Sequence, residues 1–125
     1  MKKSSFLAFG VVSVILGAAP VSAHHSAAPF NFAGAVELEG TVKELHIENP
    51  HAAIILEVTD EDRGTRNITF EGMSASIFYR SGYYNGAVEA GDSLRITAAP
   101  RHDGEDGGFI ISFINKDGEV FGFGL

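Results

Sequence analysis

Cysteine is absent from the 125 residues, and so is tryptophan. Without cysteine there is no disulfide, no thiolate zinc site, no iron–sulfur cluster and no thiol nucleophile. The same absence suits export to an oxidising compartment, where no wrong disulfide can then form. Basic charge is scarce: nine Lys and Arg stand against sixteen Asp and Glu, a formal net charge of −7. Nucleic-acid binding needs a basic footprint to displace phosphate counterions, and none is visible. Anionic membrane surfaces are disfavoured for the same reason, whereas cations, metal ions included, are drawn by the general field. There is no internal repeat and no low-complexity tract. No GxSxG, HExxH or glycine-rich phosphate loop occurs either, so no catalytic set stands out and the chain reads more as a binding protein than an enzyme.

What is present begins with a leader. Met1-Lys2-Lys3 is a positive start, residues 6–19 are apolar, and Pro20-Val21-Ser22-Ala23 supplies a break and small residues at the −3 and −1 positions. The expectation is a signal peptide over residues 1–23, cleaved after Ala23, and a periplasmic product. The apolar run is shorter than the roughly 20 residues of a bilayer span, so no stable insertion after cleavage is expected. Losing Lys2 and Lys3 with the leader takes the formal charge from −7 to −9. Cleavage makes His24 the first residue of the mature chain and His25 the second.

Residues 24–35 read as an arm whose Phe30 and Phe32 tack it onto the core, and residues 36–125 as one β domain. In the first strand Val36, Leu38 and Val42 share one parity and Leu45 and Ile47 the other, which calls for a β-bulge near Lys43-Glu44. Asn49-Pro50 breaks the run. A second strand follows over residues 51–58, with Ala52, Ile54, Leu56 and Val58 on one face, then a third over residues 66–71 with Ile68 and Phe70 inward. Ser74 is placed to cap a short helix ending at Gly82, with Ile77 and Phe78 facing the core. Leu94, Ile96 and Ala98 alternate on a fourth strand, residues 109–115 form a fifth, and a short last strand lies around Val120 and Phe121. Short turns imply antiparallel pairing. Three strands, a helix, then two or three strands is the order of an OB-fold-like antiparallel barrel of five to six strands; an open β-sandwich is the competitor.

Several segments together follow one pattern: His24-His25-Ser26 behind a leader, Val36-Glu37-Leu38-Glu39-Gly40-Thr41-Val42, Asn49-Pro50-His51-Ala52, Gly91-Asp92-Ser93-Leu94 and Pro100-Arg101-His102-Asp103-Gly104. In these the chain resembles DUF6152, a family of short exported bacterial proteins of unknown function. The resemblance spans nearly the whole mature chain and implies location and fold, with no activity. Family members often carry an aromatic residue, commonly Trp, before the Asn-Pro-His segment, where this chain has Ile47 and Glu48.

An amino-terminal histidine offers two nitrogen donors on one residue. Its α-amine titrates near pH 8 and its ring near 6.5, so both can be free bases at neutral pH. A third nitrogen would complete the T-shaped set called a histidine brace in copper proteins, and nitrogen donors in tetragonal geometry favour Cu(II). His51 is the preferred third ligand, because Pro50 fixes the turn before it and it opens a strand. His25 is the alternative, chelating through the intervening amide; a mobile, solvated chain end and a ring bonded to a turn carbonyl are the competing roles for these histidines. His46 reads as solvent-facing and His102 as part of a flexible loop. The acidic turns Asp60-Glu61-Asp62 and Asp103-Gly104-Glu105-Asp106 lack EF-hand spacing and read as solvated. Tyr79, Tyr83 and Tyr84 form an aromatic cluster at the helix end, either core packing or a ligand-stacking platform.

Three functions are compatible with these residues. One is a copper-binding periplasmic protein for delivery, buffering or sensing. A second is a non-metal module for a small molecule, peptide or envelope partner protein. A third is a copper oxidase, for which no substrate surface is visible.

Overall fold

Alternating apolar and polar side chains turn most of the chain beyond the arm into sheet. The computed structural model describes residues 28–123. Its elements are β1 (Val36–His46), β2 (Ala53–Asp60), β3 (Gly64–Glu71), α1 (Ala75–Arg80), β4 (Ser93–Pro100), β5 (Gly108–Ile114) and β6 (Val120–Gly122), preceded by one 3-10 turn at Phe32–Gly34. The strand order is β3-β2-β1-β4-β5-β6, and a further pairing of β3 with β5 closes the first five strands into a barrel. This is the OB-like architecture expected, and among the described residues one short α-helix lies between the third and fourth strands.

One pairing departs from the antiparallel expectation. β3 and β5 run parallel, with Phe70 beside Gly108 and Glu71 beside Phe109. Five strands closed in a ring cannot all alternate in direction, because five is odd, so one junction must be parallel. The sixth strand lies outside the ring, antiparallel on β5.

The register of β1 against β2 shifts between Val42 and Glu44, at the change of face seen in the sequence. A bulge adds twist and bends its strand. β1 can therefore pair with β4 through residues 36–41 and with β2 through residues 41–46. Gly40 sits at the changeover, where a Cβ would come within 2.2 Å of the Glu57 carbonyl oxygen. Only glycine tolerates so close an approach of backbones.

Ile54, Leu56, Ile68, Phe70, Leu94, Ile96, Ile110 and Phe113 fill the barrel interior. α1 joins this core through Phe78, which is fully buried, while Ile77 is only half-buried. Ser74 occupies the N-cap position, but its side chain makes no capping bond. The first helical N–H, from Ala75, donates instead to the Glu48 carbonyl at 3.0 Å. At the other end Gly82 takes φ +98°, its N–H donates to Tyr79 O, and the Tyr83 N–H donates to Phe78 O. These two bonds make a Schellman motif, which brings the residue after the glycine back against the last helical turn.

Candidate functional site

The arm docks where β4 runs on into the 101–107 loop. Phe30 is buried and its ring lies 5.6 Å from that of Phe109; Phe32 sits 5.7 Å from the same ring. The backbone is tied as well. Asn31 N–H donates to Pro100 O at 2.8 Å, Phe30 bridges Arg101, and His102 N–H donates to Pro29 O at 2.9 Å. The expected tacking by phenylalanines is thus a strand-like seam with an aromatic anchor.

His51 stands two residues before Ala53, half-buried. The β2–β3 ladder continues past the strand ends: Ala52 N–H donates to Met73 O at 2.9 Å and Gly72 N–H to Ala52 O at 2.8 Å. Ala53 is paired with Glu71, and Glu71 with Phe109. Residues directly opposite on paired strands project from the same face. Ala53 and Phe109 are thus two strand spacings apart, about 10 Å. His51, two residues before β2, and Phe109, which anchors the arm, lie at the same end of the barrel. His24 and His25 lie outside the described residues.

His46 is exposed, its Nε2 3.0 Å from Glu44 Oε2, in line with its solvent-facing parity. His102 differs from expectation. Its loop is held by bonds throughout: Arg101 donates to both carboxylate oxygens of Asp103, Glu105 N–H to Asp103 Oδ1, and Gly104 N–H to Arg101 O. Among the described residues no three His, Asp or Glu side chains gather closely enough to hold a metal ion. The acidic turns face arginines. Asp106 accepts from Arg63 and Arg66, and Asp60 pairs with Arg66 while accepting the Arg63 backbone N–H. This network ties the β2–β3 turn to the 101–107 loop, and nothing in the local spacing announces it.

Tyr83 is not on the surface. It is buried as the residue that follows the Schellman glycine, with its ring edge-on to Phe78, Phe113 and Phe121. Burial raises its phenol pKa, with a smaller contribution from Tyr79. Tyr79 and Tyr84 stay exposed, donating to Asn85 Oδ1 at 2.8 Å and to Glu119 Oε2 at 2.6 Å. The bond to Glu119 raises the Tyr84 phenol and lowers the Glu119 carboxyl.

Asp103 is the most perturbed acid. The Arg101 guanidinium, and then the Glu105 N–H, lower its carboxyl to about 2. A carboxyl depressed below its unfolded value of about 3.9 contributes stability above that value, and the contribution is lost as pH falls through 2. The urea midpoint of the wild type should therefore exceed that of Asp103→Asn at pH 5, and the gap should close between pH 4 and 2. A gap that stays constant over that range would remove the ion pair from the explanation.

The family described as "Family of unknown function (DUF6152)" matches residues 11–111. The chain belongs to this family. No curated protein shows significant similarity to this DUF6152 member. Among solved structures it is similar to the "Crystal structure of the ZRD-deleted mutant of TiaS in complex with agmatine", at 14% identity and a TM-score of 0.43, over 64% of this chain and 20% of that one. The chain thus spans about a fifth of that protein's length. No helix among the described residues is long and apolar enough to cross a membrane.

Proposed function

We propose that this DUF6152 member is an exported copper-binding protein that acts in delivery, buffering or sensing of the ion. Cleavage after Ala23 frees the α-amine of His24, and that amine and its own imidazole chelate Cu(II). His51 adds a ring from the barrel, and His25 is the alternative donor. The observation that carries this is the shared end of the barrel: the arm is anchored on Phe109, one strand away from β2, which His51 precedes by two residues. The five residues back from Pro29 to His24 span at most about 17 Å, against two strand spacings of about 10 Å and the two-residue step from Ala53 to His51 of about 7 Å. The acidic balance of the chain favours a cationic ligand.

The test is Cu(II) affinity of the mature chain beginning at His24 against the same chain with its α-amine acetylated, which removes that donor and keeps the sequence. Joining two donors on one residue is worth on the order of 10²-fold in affinity. The acetylated form should be weaker by about that factor, and equal affinity would end the amino-terminal chelate. A second reading, the non-metal module, has in its favour the exposed rings of Tyr79 and Tyr84.

A further inference from the structure

A cavity of about 230 Å³ opens where β4 begins and β5 ends. The arm docks at the other end of these two strands, against Pro100 and Phe109. The position of the cavity follows from register. Glu39 stands opposite Arg95, and Arg95 opposite Ile114, so these three side chains project from one face of the sheet. Past Ile114 the chain turns and brings Lys116 over the same cavity, with Ser93 beside it. The turn is fixed in advance. Asn115 Oδ1 accepts the N–H groups of Asp117 and Glu119, and Lys116 Nζ donates to Asp92 Oδ1 at 3.0 Å. Groups that are already held lose less freedom when a ligand binds.

Both signs of charge face the cavity with bonding capacity to spare. Arg95 Nη2 donates to Glu39 Oε2 at 3.1 Å and Nε lies 3.5 Å from Glu37 Oε1, which leaves Nη1 without a partner among the described residues. Lys116 spends one of its three donors on Asp92. Glu39 Oε1 takes no bond from a described residue. Both cations are half-exposed, and ion pairs of this kind are weak enough for a ligand to replace. Unused donors on two cations suit a carboxylate, and the spare oxygen of Glu39 suits an ammonium. The chain's net charge of −7 repels a plain anion but not a molecule whose charges cancel. Ile114, half-buried, adds an aliphatic wall. The volume falls below the roughly 300–1,000 Å³ of sites for drug-sized ligands, which matches a smaller metabolite. We propose that this cavity binds a free α-amino acid with a short aliphatic side chain. Its carboxylate lies on Arg95 and Lys116, its ammonium on Glu39 and its side chain against Ile114. This site is separate from the copper reading and does not depend on it.

The experiment uses the metal-free mature chain and three probes: L-leucine, isocaproate and isopentylamine. They share one hydrocarbon and carry both charges, the carboxylate alone and the ammonium alone. Titration followed by amide chemical shifts gives the affinity, and the signals of Ser93, Arg95, Lys116 and Gly118 report the place. Leucine should saturate at millimolar concentration, with shifts centred on those residues. A hydrogen bond to a charged group is worth about tenfold or more in affinity, so each single-charge probe should bind at least about tenfold more weakly. Arg95→Gln and Glu39→Gln should each weaken leucine by the same order and leave the melting temperature in place, since both side chains are exposed. Glu39→Gln should not weaken isocaproate, and Arg95→Gln should not weaken isopentylamine, a crossed pattern that a loosened fold would not give. No saturable shift with leucine, or shifts centred away from the cavity, would overturn the proposal. Equal binding of leucine and isocaproate would overturn the role of Glu39 and with it the zwitterion.

Discussion

Phe78→Ala is expected to destabilise the barrel by about 3–5 kcal/mol, read as a fall in the urea midpoint followed by circular dichroism. The ring is fully buried and stacks on Phe123, with centroids 4.0 Å apart and planes within 16°. Phe113 and Tyr83 meet it from other sides at 6.2 and 5.8 Å. Truncation therefore removes the transfer free energy of a phenyl ring and leaves a void that fixed aromatic neighbours cannot easily fill. Local structure goes with it. A helix of six residues is far too short to persist by its own hydrogen bonds and is held by its packing. The Schellman turn that buries Tyr83 closes on the Phe78 carbonyl and is sealed by the contact between the two rings. Against a total stability of about 5–15 kcal/mol for a domain of this size, such a loss leaves a marginal fold. A cost under about 1 kcal/mol would show that the helix is an ornament on the barrel rather than part of its core.

That helix also shows how far sequence pattern reaches. The position of Phe78, the stop at Gly82 and the bulge at Lys43 follow from periods and from glycine chemistry, both local properties of the chain. The face of Tyr83 does not follow from them. Three tyrosines near a helix end look alike in sequence, and only the turn made after Gly82 sends one inward and leaves two in solvent. The same division holds at the rim. The break before β2 is legible because Pro50 and the alternation after it mark a boundary, although the strand begins at Ala53 and not at the expected residue 51. The bond from His102 to Pro29 is not legible, because it joins residues more than seventy positions apart and depends on the arm lying along the extension of β4. The parallel junction of β3 and β5 falls between: counting strands in a closed ring demands it, but pairing inferred from short turns alone does not reveal it. Hydrophobic periodicity reports which face of an element is buried, and it is silent on which distant element covers that face.

The β5–β6 turn supplies the second large effect. Asn115 is the buried polar residue among those described, 5% exposed, and every hydrogen-bonding position of its amide is used. Nδ2 donates to Ala87 O at 3.0 Å and to Glu119 Oε2 at 2.8 Å, while Oδ1 accepts the N–H groups of Asp117 and Glu119 at 3.1 and 2.9 Å. Asn115→Leu keeps the volume and the backbone bonds but strands one buried carbonyl and two amide protons. At about 1–3 kcal/mol for each buried group left without a partner, and with the exposed turn regaining some water, the expected loss is about 2–4 kcal/mol. Asn115→Asp separates hydrogen bonding from charge. Its new carboxylate can still accept the two turn N–H groups but confronts Ala87 O and the Glu119 carboxylate, which the Tyr84 hydroxyl already keeps ionised. Repulsion raises the pKa of the introduced acid in the folded state, so this variant should be weakest near pH 7 and should recover relative to wild type as pH falls toward 4. Asn115→Leu carries no new titrating group, and its deficit should stay nearly flat over the same range. Urea midpoints at pH 7 and pH 4 distinguish the two. Parallel behaviour of both variants would mean that shape in this turn matters and the pairing of Asn115 with Glu119 does not.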